Sequence, residues 1–164
     1  MARYTHIDRA GIVGVVGPTE VHADQKIGDK PWGLWYSVDE HWEQWCASEM
    51  PEWLNARRFA VTFGAENILR LDDPLAVLVF DERYGCEENL GGMGRSFWYH
   101  RIDWPRVCSE YDGIEIAPYQ WSLRMDERVR WYYGWDCASG CVWRPRGMTL
   151  EPIGPYVAER TEAA

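Results

Sequence analysis

The spacing of hydrophobic and polar positions changes several times along the chain, and each change marks an element. Arg3 to Asp8 carries Tyr4, Thr5 and Ile7 in a pattern that suits an opening strand. Gly11 to Gly17 interleaves glycines with valines, and Val21 to Pro31 is polar and loop-like. From Val38 the period lengthens. Trp42, Trp45, Cys46 and Met50 recur at helical spacing, Asp39 and Glu40 fall in the first turn, and Pro51 closes the helix. Phe59 to Phe63 alternates as a strand and Ile68 to Leu71 reads as another. Asp72-Asp73-Pro74 then starts a helix that runs to about Tyr84 and stops at Gly85. Cys86 to Ser96, CEENLGGMGRS, reads as a glycine-rich loop of the kind that borders active sites, and Asp103-Trp104-Pro105 starts a short helix ending near Tyr111. Arg130 to Trp135 and Gly140 to Trp143 read as two late strands, and the tail from about Pro145 as irregular. Short strands with segregated helices argue for an α+β fold over a doubly wound parallel one.

One carboxylate interrupts this pattern. In YDGIEIAPY, Tyr111 to Tyr119, Asp112-Gly113 is turn chemistry and Ile114 to Ala117 a short strand. Alternation puts both isoleucines in the core and Glu115 on the opposite face, which must then be water or a cleft.

Composition narrows the possibilities. A chain of 164 residues with 46% apolar content supports one full core, so residues 1–164 are expected to form a single domain. A net charge of −9 weighs against non-specific binding to a phosphate backbone, leaving Arg57-Arg58 and the group Arg124, Arg128 and Arg130 as the local basic patches. The opening residues MARYTHIDRAG lack the apolar core of a signal peptide, and no apolar run is long enough to span a bilayer, so a cytosolic protein is expected. Five cysteines, an odd number, read as reduced thiols. Eleven tryptophans exceed what such a core needs, and some are expected to line a binding surface.

Familiar catalytic signatures are absent. No Cys-x-x-Cys pair points to structural zinc, no Gly-x-Ser-x-Gly elbow is present, and LGGMGRS lacks the lysine of a P-loop. The remaining constellation is His6 in the opening strand, GLWYS from Gly33 to Ser37, and Glu115. Each has an ordinary reading too: a strand histidine, aromatic core, and a capping box formed by Ser37 and Glu40 in SVDE.

RYTHIDRAGI resembles the first motif of ADP-ribosyltransferases, in which a strand-borne His holds NAD, and particularly the THID-type start of nucleic-acid-modifying toxins. KPWGLWYS is similar to the second motif, whose aromatic and hydroxyl residues close over nicotinamide, and YDGIEI resembles the strand that delivers the catalytic Glu. An ILRLDD strand, a helix ending in Tyr-Gly and an IDW helix precede YDGIEI in matching order, so the resemblance covers roughly Tyr4 to Trp143. The chain departs from the arginine-modifying pattern: it has no Ser-Thr-Ser triplet, and Gly113 stands two positions before Glu115 where an acidic residue would be.

The resemblance implies a split two-sheet ADP-ribosyltransferase-like fold with flanking short helices and NAD in a cleft between the sheets. It implies NAD as substrate, no metal, and transfer of ADP-ribose to a protein or nucleic-acid acceptor in a bacterial or infected-host cytosol. Glu115 would be the catalytic carboxylate, His6 with Thr5 would hold the ribose, and Gly33, Leu34, Trp35 and Tyr36 would enclose nicotinamide. Ser37 would hydrogen-bond Glu115, and Arg58 or Arg95 would meet the pyrophosphate. The alternative is a non-catalytic module that binds a nucleotide or a protein, as a phage or bacterial inhibitor would.

Overall fold

The computed structural model describes residues 2–8, 20–91 and 97–157. The segment Gly11 to Gly17 and the Gly92 to Ser96 part of the glycine-rich loop, including Arg95, lie outside the described residues. The strands are β1 (Tyr4–Asp8), β2 (Ile27–Gly28), β3 (Leu34–Val38), β4 (Arg57–Thr62), β5 (Ile68–Leu71), β6 (Gly85–Asn89), β7 (Trp98–Asp103), β8 (Gly113–Ile116), β9 (Ser139–Val142) and β10 (Thr149–Ile153). The helices are α1 (His41–Glu49), α2 (Pro74–Tyr84) and α3 (Trp104–Glu110).

Seven strands form one mixed sheet in the order β10-β4-β1-β3-β9-β8-β5, and β2-β7-β6 form a smaller one. Neighbours are antiparallel except β5 and β8, which pair in parallel because the chain between them crosses over through α2, the β6–β7 hairpin and α3. The fold is α+β, as the pattern of elements predicts.

Local chemistry explains the elements that were legible. The Asp73 carboxylate accepts the Ala76 N–H at 2.8 Å and that of Asp103 accepts the Arg106 N–H at 3.2 Å, with a proline in the first turn of α2 and α3 alike. Both isoleucines of β8 are fully buried, and the large rings of Trp104, Trp131 and Trp143 fill the core between sheet and helices. Each of these indoles finds an acceptor: the Gly28 carbonyl, the Asp81 carboxylate and the Tyr111 carbonyl.

Other expectations are overturned. Val38 ends β3 instead of starting a helix, and Asp39 and Glu40 take left-handed backbone (φ 50° and 60°) in the turn before α1. The buried face of α1 carries Glu43 and Cys46, while Trp42 and Trp45 stack on each other at 4.9 Å between ring centres, beside Trp53. Burying Glu43 is possible because Thr5 and Arg58 meet it there. The expected strand Arg130 to Trp135 is a kinked 3-10 run over Glu127–Gly134, which buries Val129, Trp131 and Tyr132 together, unlike an alternating strand. The glycine-rich loop begins as β6, and the tail after Pro145 includes β10. Its Pro152 is tolerated because β10 is an edge strand.

Candidate functional site

β1 pairs with β3 at Tyr4↔Val38 and Thr5↔Ser37, and a cavity of about 350 Å³ opens where that pairing ends. Its wall takes His6 and Ile7 from β1, Gly33, Trp35 and Tyr36 from around β3, Trp42 from α1, Trp135 and Asp136 from the approach to β9, and Ser139 from the start of β9. No residue of the smaller sheet lines it among the described residues, so this cavity sits on the large sheet, whereas the resemblance implies NAD in a cleft between the two sheets.

His6 fixes the mouth. Its Nδ1 lies 2.7 Å from the Trp35 carbonyl oxygen, which can only accept, so Nδ1 carries the proton and Nε2 is left as an acceptor. Burial lowers the pKa of the imidazole below 6.5 against the pull of the Trp35 carbonyl and Asp8, which keeps the ring neutral at pH 7. Trp35 and Trp135 meet edge to face at 4.9 Å, and Lys30 Nζ stands 5.3 Å from the Trp35 ring centre. The Trp135 indole N–H is buried with no acceptor among the described residues, an orphan donor in a residue of the cavity wall.

Glu115 occupies a different position. The pairings Tyr36↔Gly140, Gly140↔Glu115 and Arg70↔Glu115 put these side chains in one row across β3, β9, β8 and β5. The Tyr36 phenol crosses β9 over Gly140, where a Cβ would come within 2.3 Å of the phenol oxygen, and donates to Glu115 Oε2 at 3.0 Å. Arg70 Nε reaches Glu115 Oε1 at 3.3 Å from the half-exposed sheet edge. Tyr4 and Phe63 pack edge-on against the Tyr36 ring. Burial and the Glu115 charge raise the Tyr36 pKa well above 10, so the phenol keeps its proton and its donor role. The face opposite the isoleucines of β8 is therefore neither water nor an open cleft: it is a closed aromatic and ionic seat. Tyr36 lines the cavity, whereas Glu115 is absent from the described wall.

The remaining expected residues divide. Thr5, Gly33, Trp35, Tyr36 and Ser37 join His6 at the cavity, while Leu34 packs against the core. Ser37 Oγ accepts the Trp42 N–H at 2.9 Å, so it caps α1 and does not hold Glu115. Its expected capping partner Glu40 instead pairs with Arg3 and Arg58. Arg58 is committed to Glu40, Glu43 and the Gly154 carbonyl, so it is spent on the fold and not free for a pyrophosphate. Asp136 was not foreseen. Its side chain is about a quarter exposed (25%), with Arg124 3.9 Å away, and its placement follows from β9 lying beside β3, a long-range pairing with no motif.

All five cysteines are free, and burial raises the Cys108 and Cys137 thiols to about 12, which leaves them poor nucleophiles at neutral pH. Among the described residues no group of three or more His, Cys, Asp or Glu is placed to hold a metal, and no helix is long and apolar enough to cross a membrane. No family model, no curated protein and no solved structure matches the chain.

Proposed function

We propose that the protein is an NAD-dependent mono-ADP-ribosyltransferase of the kind its motifs resemble, working in the cavity at the end of the β1–β3 pairing. The observation that carries this reading is the composition of one wall. A neutral His6 whose Nε2 has no partner among the described residues, the edge-to-face pair Trp35 and Trp135, and the carboxylate of Asp136 surround a space sized for a nucleoside. Nicotinamide is a flat cation that an aromatic face attracts, and its carboxamide oxygen suits the orphan Trp135 N–H. His6 Nε2 accepts from a ribose hydroxyl.

Cleavage breaks the bond between the nicotinamide nitrogen and the ribose carbon. The electron pair leaves with nicotinamide and an oxocarbenium ion remains on the sugar. A carboxylate facing that carbon stabilises the positive charge as it develops, and a nucleophile on the acceptor then closes the new bond and gives up its proton. Asp136 is the carboxylate in the wall, so we assign it this role. Glu115 becomes a positioning residue that holds Tyr36 against the cavity.

The test is nicotinamide release from NAD by the purified protein, with and without a cell extract that supplies acceptors. Release that needs extract, with labelled ADP-ribose appearing on a macromolecule, supports transfer. Release without extract means hydrolysis. No release from folded protein removes the enzymatic reading and leaves the binding module, which the closure of Glu115 by Tyr36 would then favour.

A further inference from the structure

A second cavity of about 520 Å³ adjoins the first, between the Lys26–Trp32 segment and the 3-10 run Glu127–Gly134, and Lys30 lines both. The Lys30 stem lies over Gly134, where a Cβ would stand 3.1 Å from Cε, and its ammonium reaches the Trp35 ring. Lys30 therefore bridges the two spaces. Lys26, Arg101 and Arg130 add three more cations to the second cavity against one carboxylate, Asp29, among its described lining residues, a local reversal of sign in a chain of net charge −9. Arg101 is shared between Asp29 and Glu88, but Lys26, Lys30 and Arg130 make no ion pair among the described residues. Two flat rings in the same wall face water, Trp32 at 64% exposure and Tyr133 at 57%.

The first cavity has room for the nicotinamide riboside end of a dinucleotide and no more, and Arg58 is spent on Glu43 and Glu40. We infer that the second cavity holds the nucleoside-diphosphate half of NAD, with Lys30 and Arg130 on the pyrophosphate and the purine stacked on Trp32 or Tyr133. This assignment rests on the NAD reading of the first cavity. It is the charge and the rings together that select this ligand: an apolar compound would leave three cations unmatched, and inorganic phosphate would leave the rings bare.

The experiment is titration of ADP into wild type, Arg130→Ala and Trp32→Ala, beside the KM for NAD and for nicotinamide mononucleotide, which lacks the adenylate half. ADP should bind wild type, compete with NAD, and lose about 10-fold or more in affinity in each variant. The preference for NAD over the mononucleotide should collapse by the same factor in Arg130→Ala. ADP affinity unchanged in both variants would overturn the assignment. ADP that binds through Arg130 without competing with NAD would also overturn it, since the cavity would then serve another nucleotide such as one on the acceptor. If NAD is not cleaved at all yet ADP binding falls in Arg130→Ala, the catalytic reading fails and a nucleoside-diphosphate site stands.

Discussion

Glu115 is 6% exposed with both carboxylate oxygens engaged, by the Tyr36 hydroxyl at 3.0 Å and by Arg70 at 3.3 Å. Asp136 stands in the cavity wall with its side chain a quarter exposed (25%) and its nearest cation among the described residues, Arg124, 3.9 Å away. The first carboxylate is built into the sheet, through four strands in register and a glycine that lets a phenol pass. The second projects from the end of an irregular run with little to hold it. A group whose hydrogen-bonding capacity is already satisfied stabilises the fold, while one with capacity to spare can answer a ligand. The contrast separates a carboxylate held by the fold from one with bonding capacity to spare.

Breaking the Glu115 seat should show first as lost stability. Gly140→Ala drives a methyl into the Tyr36 phenol in a packed interior, and about 3 kcal/mol of unfolding free energy should disappear in chemical denaturation. Glu115→Ala leaves the buried Tyr36 hydroxyl without an acceptor and should cost about 2 kcal/mol; Glu115→Gln, which can still accept, should cost about half that.

A smaller effect concerns His6 and pH. Its folded pKa is lowered, so as pH falls through 6.5 the unfolded chain takes up a proton that the folded chain refuses, and this contribution to stability is lost on the acid side. His100 is shifted the other way: burial lowers its pKa, but its contacts with Asp81 and Glu87 raise it more. Its contribution is complete below 6.5 and lost as pH rises through the raised value. The two oppose each other, so the His6 part is read as the difference between wild type and His6→Asn. That difference should vary with pH below 6.5 and be flat above it. The smallest stability effect is predicted for Asp136→Asn, within about 0.5 kcal/mol of wild type, because a partly exposed carboxylate at 3.9 Å from its cation contributes little. A loss of more than 2 kcal/mol there would erase the distinction between the two carboxylates.

The sequence made the local features legible. α2 and α3 could be read because an aspartate and a proline at the start of each set the first turn within four residues, and β8 because Ile114 and Ile116 alternate about Glu115. β10 was not readable: an edge strand holding Glu151 and Pro152 has no apolar period, and it forms because β4 offers an open edge. Arg58 looked free for a ligand because nothing local reveals that α1 brings Glu43 over β4. Ser37 ends GLWYS and begins SVDE, so it carries both of its readings, and only the geometry of the turn decides for the cap on α1. At the site, His6, Trp35 and Tyr36 were legible from their motifs, whereas Asp136 and Lys30 reach it through pairings and crossings more than a hundred residues from β1 in one case and across Gly134 in the other.

The most direct measurement is steady-state nicotinamide release by Asp136→Asn and Glu115→Gln side by side with wild type, at a temperature where all three are folded, with NAD affinity measured in parallel. Asp136→Asn should lose about 100-fold or more in kcat with NAD binding retained, and Glu115→Gln should stay within a few-fold of wild type. The reverse, full turnover in Asp136→Asn and none in folded Glu115→Gln, would contradict the assignment and return the chemistry to the carboxylate behind Tyr36.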